Sequence, residues 1–149
     1  MILSLKQLKL LATATLAISV TSANWVMADT SPIKGSSPKL LSAFFGLDNA
    51  MPFVVNLLCF GAAGDDGMPV VLSHRVSSDS VGPKQFQLTT RSGQLKTPEC
   101  ASLRPAGDPG ERRTVLLIGE FGNASSDPPE VVTIVEDLLS DTAEPLNFK

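Results

Sequence analysis

The chain has 149 residues, a formal net charge of −3, two cysteines and one histidine. That length suits a single domain. Charged residues make up 18% of it and hydrophobic residues 43%, which excludes a nucleic-acid binder built on a basic stripe and a chain too polar to fold. Two cysteines and one histidine are too few for a structural zinc site of the usual kind.

Residues 1–28 read as a secretory signal peptide. Lys6 and Lys9 supply the positive region, and residues 10–20 (LLATATLAISV) form an apolar run too short to span a bilayer comfortably. Val26-Met27-Ala28 fits the small-residue rule for cleavage before Asp29, with Thr21-Ser22-Ala23 as a second candidate. The alternative is an uncleaved anchor helix. No cysteine adjoins the cut, so a lipoprotein anchor is excluded. Cleavage removes two lysines and no acid, and leaves all 11 prolines and all 11 glycines in the mature chain. That density of chain breakers forbids long helices. No later segment approaches membrane length, so the expected product is secreted or periplasmic, with no membrane span after cleavage.

Export also sets the redox context. Cys59 and Cys100 are expected to pair as a disulfide, with two buried free thiols as the alternative. The bridge closes a loop of about 41 residues, worth on the order of 4 kcal/mol in the chain-entropy model. Nothing resembling C-x-x-C is present, so a redox-active pair is not expected.

Residues 29–37 (DTSPIKGSS) form a polar linker, and residues 38–149 a single β domain. Ser37, Pro38 and Gly46 supply helix start and stop signals around residues 38–45. Leu40, Leu41, Phe44 and Phe45 would share one face of that short N-terminal helix, which is expected to lie on the domain or to dock on a protein partner or cell-surface component. The remainder reads as strands. Residues 52–60 (PFVVNLLCF) form a β-rich run into the first cysteine, and residues 61–67 a loop. Residues 69–76 form a second strand, and residues 77–84 a turn. Residues 85–91 alternate, with Phe86, Leu88 and Thr90 on one face. Ser92-Gly93 is a tight turn, and residues 94–103 return through Cys100. Residues 104–111 are a turn cluster. Residues 112–121 hold TVLLIGEF, apolar almost throughout, as expected of a central strand buried on both faces. Val131 to Val135 alternate around Thr133, and Leu138-Leu139 end the run. Short strands separated by turn signals point to an all-β sandwich.

The stretch PVVLSHRVSSDSVGPKQFQLTTRSGQLKTP resembles the bacterial Ig-like domain of surface-layer (SbsA-type) proteins. Leu72-Ser73, Val76, Asp79-Ser80, Phe86, Leu88 and Gly93 stand where that pattern has its strand, its Asp/Ser-rich turn, its next strand and its glycine turn. The resemblance covers residues 69–139. Cysteines are atypical of that family, and its closing motif is only hinted at by Asp137-Leu138-Leu139. It implies an Ig-like β-sandwich with a spacer or adhesive role and no shared catalytic residues. The chain stops at Asn147-Phe148-Lys149, and reads either as a whole domain or as one lacking a last strand.

No catalytic set emerges. His74 stands beside Ser73, and neighbours on a strand point to opposite faces, so Ser73 is not expected to serve as its nucleophile. There is no G-x-S-x-G elbow. Gly61-x-x-Gly64-x-x-Gly67 lacks the lysine and the following helix of a phosphate loop. Glu99, Glu111 and Glu120 sit in or beside strands, but no spacing pairs two of them as a glycosidase would require. Asp48, Asp65 and Asp66 are the candidate calcium ligands, with solvated turn carboxylates as the alternative; no cofactor other than calcium is expected. The chain has no tyrosine, and its single tryptophan, Trp25, falls in the leader, which counts against an aromatic sugar-binding platform. Asn123-Ala124-Ser125 is a glycosylation sequon by pattern. Three readings stand: a non-catalytic secreted module of structural or adhesive role, a small secreted hydrolase with an unrecognised carboxylate site, and an accessory protein docking on a partner through its apolar N-terminal segment.

Overall fold

A computed structural model describes residues 36–148. The expected leader and most of the linker lie outside the described residues. Within them the chain forms nine short strands and three single-turn 3-10 segments. The strands are β1 (Leu40–Ala43), β2 (Asp66–Leu72), β3 (Phe86–Thr90), β4 (Leu95–Lys96), β5 (Cys100–Ser102), β6 (Thr114–Gly119), β7 (Pro129–Ile134), β8 (Leu138–Leu139) and β9 (Pro145–Leu146). All pairings are antiparallel. One sheet has the order β1-β2-β6-β5, a second has β4-β3-β7, and β8 pairs with β9.

Alternation in the sequence builds the main core. Phe86, Leu88 and Thr90 of β3 are buried while Gln87 and Thr89 are not, as period-2 geometry requires. Met68, Val70 and Leu72 of β2 and Val115 and Leu117 of β6 join Phe86 and Leu88 in one cluster. That cluster draws on both larger sheets and extends to Leu138 and Leu146 of the β8–β9 pair. The turn after β3 uses Gly93 at φ 85°, and its N–H reaches the Thr90 carbonyl at 2.9 Å. That conformation favours glycine over any side chain.

The expected helix over residues 38–45 is not formed; these residues supply the edge strand β1. Leu40 lies opposite Leu72 and Ala43 opposite Val70, with an irregularity between Leu40 and Ser42. A two-turn helix stabilises itself weakly, whereas the open edge of β2 offers a ladder and a core. Strand geometry also splits the apolar face that a helix would have kept together. Leu40 and Phe45 turn in against the core, and Leu41 and Phe44 turn out.

The β-rich run 52–60 is likewise not a strand. It forms a 3-10 turn over Phe53–Leu57, with Leu58 N–H donating to the Val55 carbonyl at 2.8 Å. Met51, Val55 and Cys59 recur at intervals of four, a helical spacing that the string of β-branched and aromatic residues masks. These three side chains and Ala62 pack on Ile118 as a second apolar cluster. Ile118 and Leu116 point away from the main core. The expectation that residues 112–121 contain a strand covered on both faces is therefore met, and the cover on the outer face is the 51–62 segment.

Candidate functional site

The segment between β1 and β2 is a long loop closed at its neck. Leu47 bridges to Gly67, and the Gly67 N–H donates to the Leu47 carbonyl at 2.8 Å. Met51 N–H reaches the Asp65 carbonyl at 3.0 Å and Gly64 N–H the Met51 carbonyl at 2.9 Å. Asn56 Oδ1 accepts the Ala63 N–H at 3.0 Å. Farther out, the Cys59–Cys100 disulfide ties the loop to β5, with Cα atoms 6.1 Å apart. The expected bridge is formed, and it is a bond of oxidising compartments. No helix among the described residues is long and apolar enough to cross a membrane.

Asp66 fixes this loop to the rest of the domain. It has no exposed surface. Its Oδ1 accepts the Asn49 N–H at 2.8 Å, and its Oδ2 accepts the N–H groups of Phe121 at 2.8 Å and Gly122 at 3.3 Å. One carboxylate thus joins the loop entrance, β2 and the chain leaving β6. A buried charge needs such donors. Asp48 adds a parallel tie: Oδ2 accepts the Ala124 N–H at 2.8 Å and Oδ1 the Asn49 side-chain amide at 2.7 Å. The fold brings the three calcium candidates into one neighbourhood, but those oxygens of Asp48 and Asp66 face N–H donors. Asp65 contributes its backbone carbonyl to Met51. No group of three or more His, Cys, Asp or Glu residues suited to a metal ion occurs among the described residues.

The fold also gathers acidic groups around Glu120, just past β6. Desolvation first, then the charges of Asp66, Asp65 and Glu99, hold its carboxyl above the ordinary glutamate range, against a smaller opposing effect of Lys96. Elsewhere, Asp127 accepts the Ser92 hydroxyl at 2.8 Å and the Ser92 N–H at 2.7 Å. These bonds hold its carboxyl below the ordinary aspartate range. In the sequon, Asn123 Oδ1 is the acceptor for the N–H and hydroxyl groups of both Ser125 and Ser126.

The strand argument that separated Ser73 from His74 does not hold. β2 ends at Leu72, and both residues lie in the bend beyond it. Freed from strand alternation, Ser73 Oγ sits 2.8 Å from His74 Nδ1. The same oxygen accepts the Lys39 N–H at 2.8 Å. The hydroxyl thus bonds the residue that leads into the edge strand as well as the imidazole ring.

The outer side of the loop carries the feature that sequence reading missed. Phe53 is 83% exposed, Leu57 85% and Phe60 fully so, and Val54 beside them is also exposed. Of the four residues expected to form an apolar docking face, Leu41 and Phe44 are exposed while Leu40 and Phe45 are partly buried against the core; the larger apolar surface is on the loop. A groove of about 720 Å³ runs between this loop and residues 104–108. Its floor includes Met51, Leu58 and Leu116, with Pro105, Arg104 and Asp108 on the far side. The signal available in the sequence was the helical spacing of Met51, Val55 and Cys59, which assigns the intervening Phe53, Val54 and Leu57 to the outside. Comparison with protein-family models, curated proteins and solved structures gives no match to this chain.

Proposed function

We propose that this chain is an exported, non-catalytic module with an Ig-like β-sandwich fold, and that its structural or adhesive role is exercised by binding rather than by chemistry. The observation that carries this reading is the loop at residues 47–67. A disulfide, a buried carboxylate and its own small apolar cluster hold it in place, and it turns Phe53, Leu57 and Phe60 to solvent. Burying those side chains in the domain would have been favourable by roughly 1.5–3 kcal/mol each. A partner surface recovers that free energy. Two sheets that share one core support the sandwich assignment, and the disulfide supports export.

The hydrolase reading has one observation in its favour, the Ser73–His74 contact. Triad chemistry also requires a carboxylate orienting the ring, and among the described residues no hydrogen bond joins His74 to a carboxylate.

Alanine at His74, tested by thermal melt and by cellular phenotype on the same variant, discriminates the two. The binding reading expects a small loss of stability, about 1 kcal/mol, and an intact phenotype. Unchanged stability with a lost phenotype refutes it, because loss of a general base typically removes 10²–10⁴-fold of rate. Intact mass of the exported protein checks the leader: retention of Trp25 excludes cleavage after Ala28.

A further inference from the structure

We infer that the exposed apolar face of the 47–67 loop is a self-association surface and that its occupant is a second copy of this chain. The inference rests on the binding reading above and names its partner.

The first argument is area. Leu47, Phe53, Val54, Leu57, Leu58 and Phe60 of the loop are all exposed. At roughly 150–250 Å² for a whole aromatic side chain, and less for the partly covered leucines, they present on the order of 700 Å² of apolar surface. That exceeds the roughly 300–600 Å² of the largest apolar patch on a typical monomer, and it approaches the roughly 800 Å² each partner contributes to a stable interface of ordinary size.

The second argument is shape. Protruding side chains and an apolar groove occur on the same part of the molecule. Phe53 and Phe60 stand out from the loop, and the groove of about 720 Å³ lies along it. A two-fold axis makes a patch its own complement, so a face that holds both knob and hole can fill itself twice over, the aromatic rings of each copy entering the groove of the other.

The third argument is charge. Residues 51–64 carry no ionisable side chain apart from the bridged Cys59, the charge depletion found at interface centres. The groove rim has one residue of each sign, Arg104 and Asp108. A two-fold axis passing beside the rim can set the arginine of each copy against the aspartate of the other. A membrane surface fits less well. The loop itself, residues 47–67, has no lysine or arginine and turns Asp48 and Asp65 toward its surface, and Arg104 is the one cation lining its groove. Insertion into an anionic bilayer draws on clusters of basic residues, which a single arginine does not make. The disulfide adds pre-organisation, since a loop already ordered loses less entropy on pairing.

Sedimentation equilibrium of the exported, disulfide-intact protein tests the inference. At about 50 µM, in the affinity range of an ordinary interface, the expected mass is that of a dimer. Leu57→Glu and Phe60→Ser should each weaken association by at least about 100-fold, the fold-change for loss of a buried anchor, with an unchanged far-UV circular dichroism spectrum and a melting temperature that no longer rises with protein concentration. Val131→Glu, on an exposed apolar residue of β7 outside the patch, should leave the dimer intact. A monomer at every concentration, or a dimer indifferent to Leu57→Glu, overturns the inference. Flotation of monomeric protein with phosphatidylcholine–phosphatidylglycerol vesicles, abolished by Phe60→Ser, also overturns it while leaving the binding reading in place. Monomeric protein, with a wild-type phenotype in both loop variants, defeats both.

Discussion

Replacing Asp66 by asparagine and by alanine separates a structural carboxylate from a cation ligand. In the structure this side chain is fully buried and accepts three backbone N–H groups, from Asn49, Phe121 and Gly122. A hydrogen bond to a charged group has a net value of about 1.5–3 kcal/mol, and a buried donor left without a partner costs about as much again. The Phe121 N–H is buried, so alanine leaves it unsatisfied; the other two are partly buried and within reach of water. Asp66→Ala should therefore lose about 4–5 kcal/mol, most of the stability of a small domain. Asparagine keeps one oxygen and turns an amide NH₂ against the remaining donor, so Asp66→Asn should lose about 2–3 kcal/mol. At the unfolding entropy of a domain this size, that lowers the melting temperature by roughly 10 °C. Far-UV circular dichroism is the suitable probe, since the described residues contain no tryptophan or tyrosine. The melts are run with calcium and with a chelator. The reasoning fails if Asp66→Asn is as stable as the parent. It fails equally if the parent loses stability in chelator and regains it with calcium, because the carboxylate would then be serving a cation.

Cys59→Ala, Cys100→Ala and the double variant should each lose about 4 kcal/mol, the loop-closure value for a separation of 41 residues. The double should cost no more than either single variant, and thiol titration of the native protein should find none free; alanine is preferred at Cys59 because a serine hydroxyl would be buried among Met51, Val55 and Ile118. Glu120 carries a raised carboxyl, so its contribution to stability is complete below the unfolded-state value and is lost as pH rises through the folded one. Glu120→Gln should melt higher than the parent at neutral pH, and the two curves should converge below the ordinary glutamate range. Asp127 runs the other way: its lowered carboxyl stabilises the fold above the unfolded-state value, and that contribution is lost as pH falls through the folded one. Asp127→Asn should melt lower at neutral pH and match the parent in strong acid.

Sequence alone determined the elements whose pattern repeats within a few residues. The alternation of Phe86, Leu88 and Thr90 specified β3 and its inward face, because period-2 geometry leaves no other way to bury them together. The apolar run of residues 114–119 specified a central strand, and two cysteines behind an expected export signal specified a cross-link between Cys59 and Cys100. Tertiary structure decided the rest. Residues 40–45 suit a short helix locally, yet the open edge of β2 makes them a strand, because a ladder and a core outweigh the weak preference of two turns. Residues 53–57 have strand composition, yet the outer face of β6 and the bridge to Cys100 bend them into a 3-10 turn. That single change of conformation sends Val55 and Cys59 inward and Phe53, Leu57 and Phe60 outward. The role of Asp66 was equally hidden, since its partners lie 17, 55 and 56 residues away. The second of two adjacent aspartates at the start of a strand gives no sign of them; only the converging backbone supplies the donors that make its burial favourable.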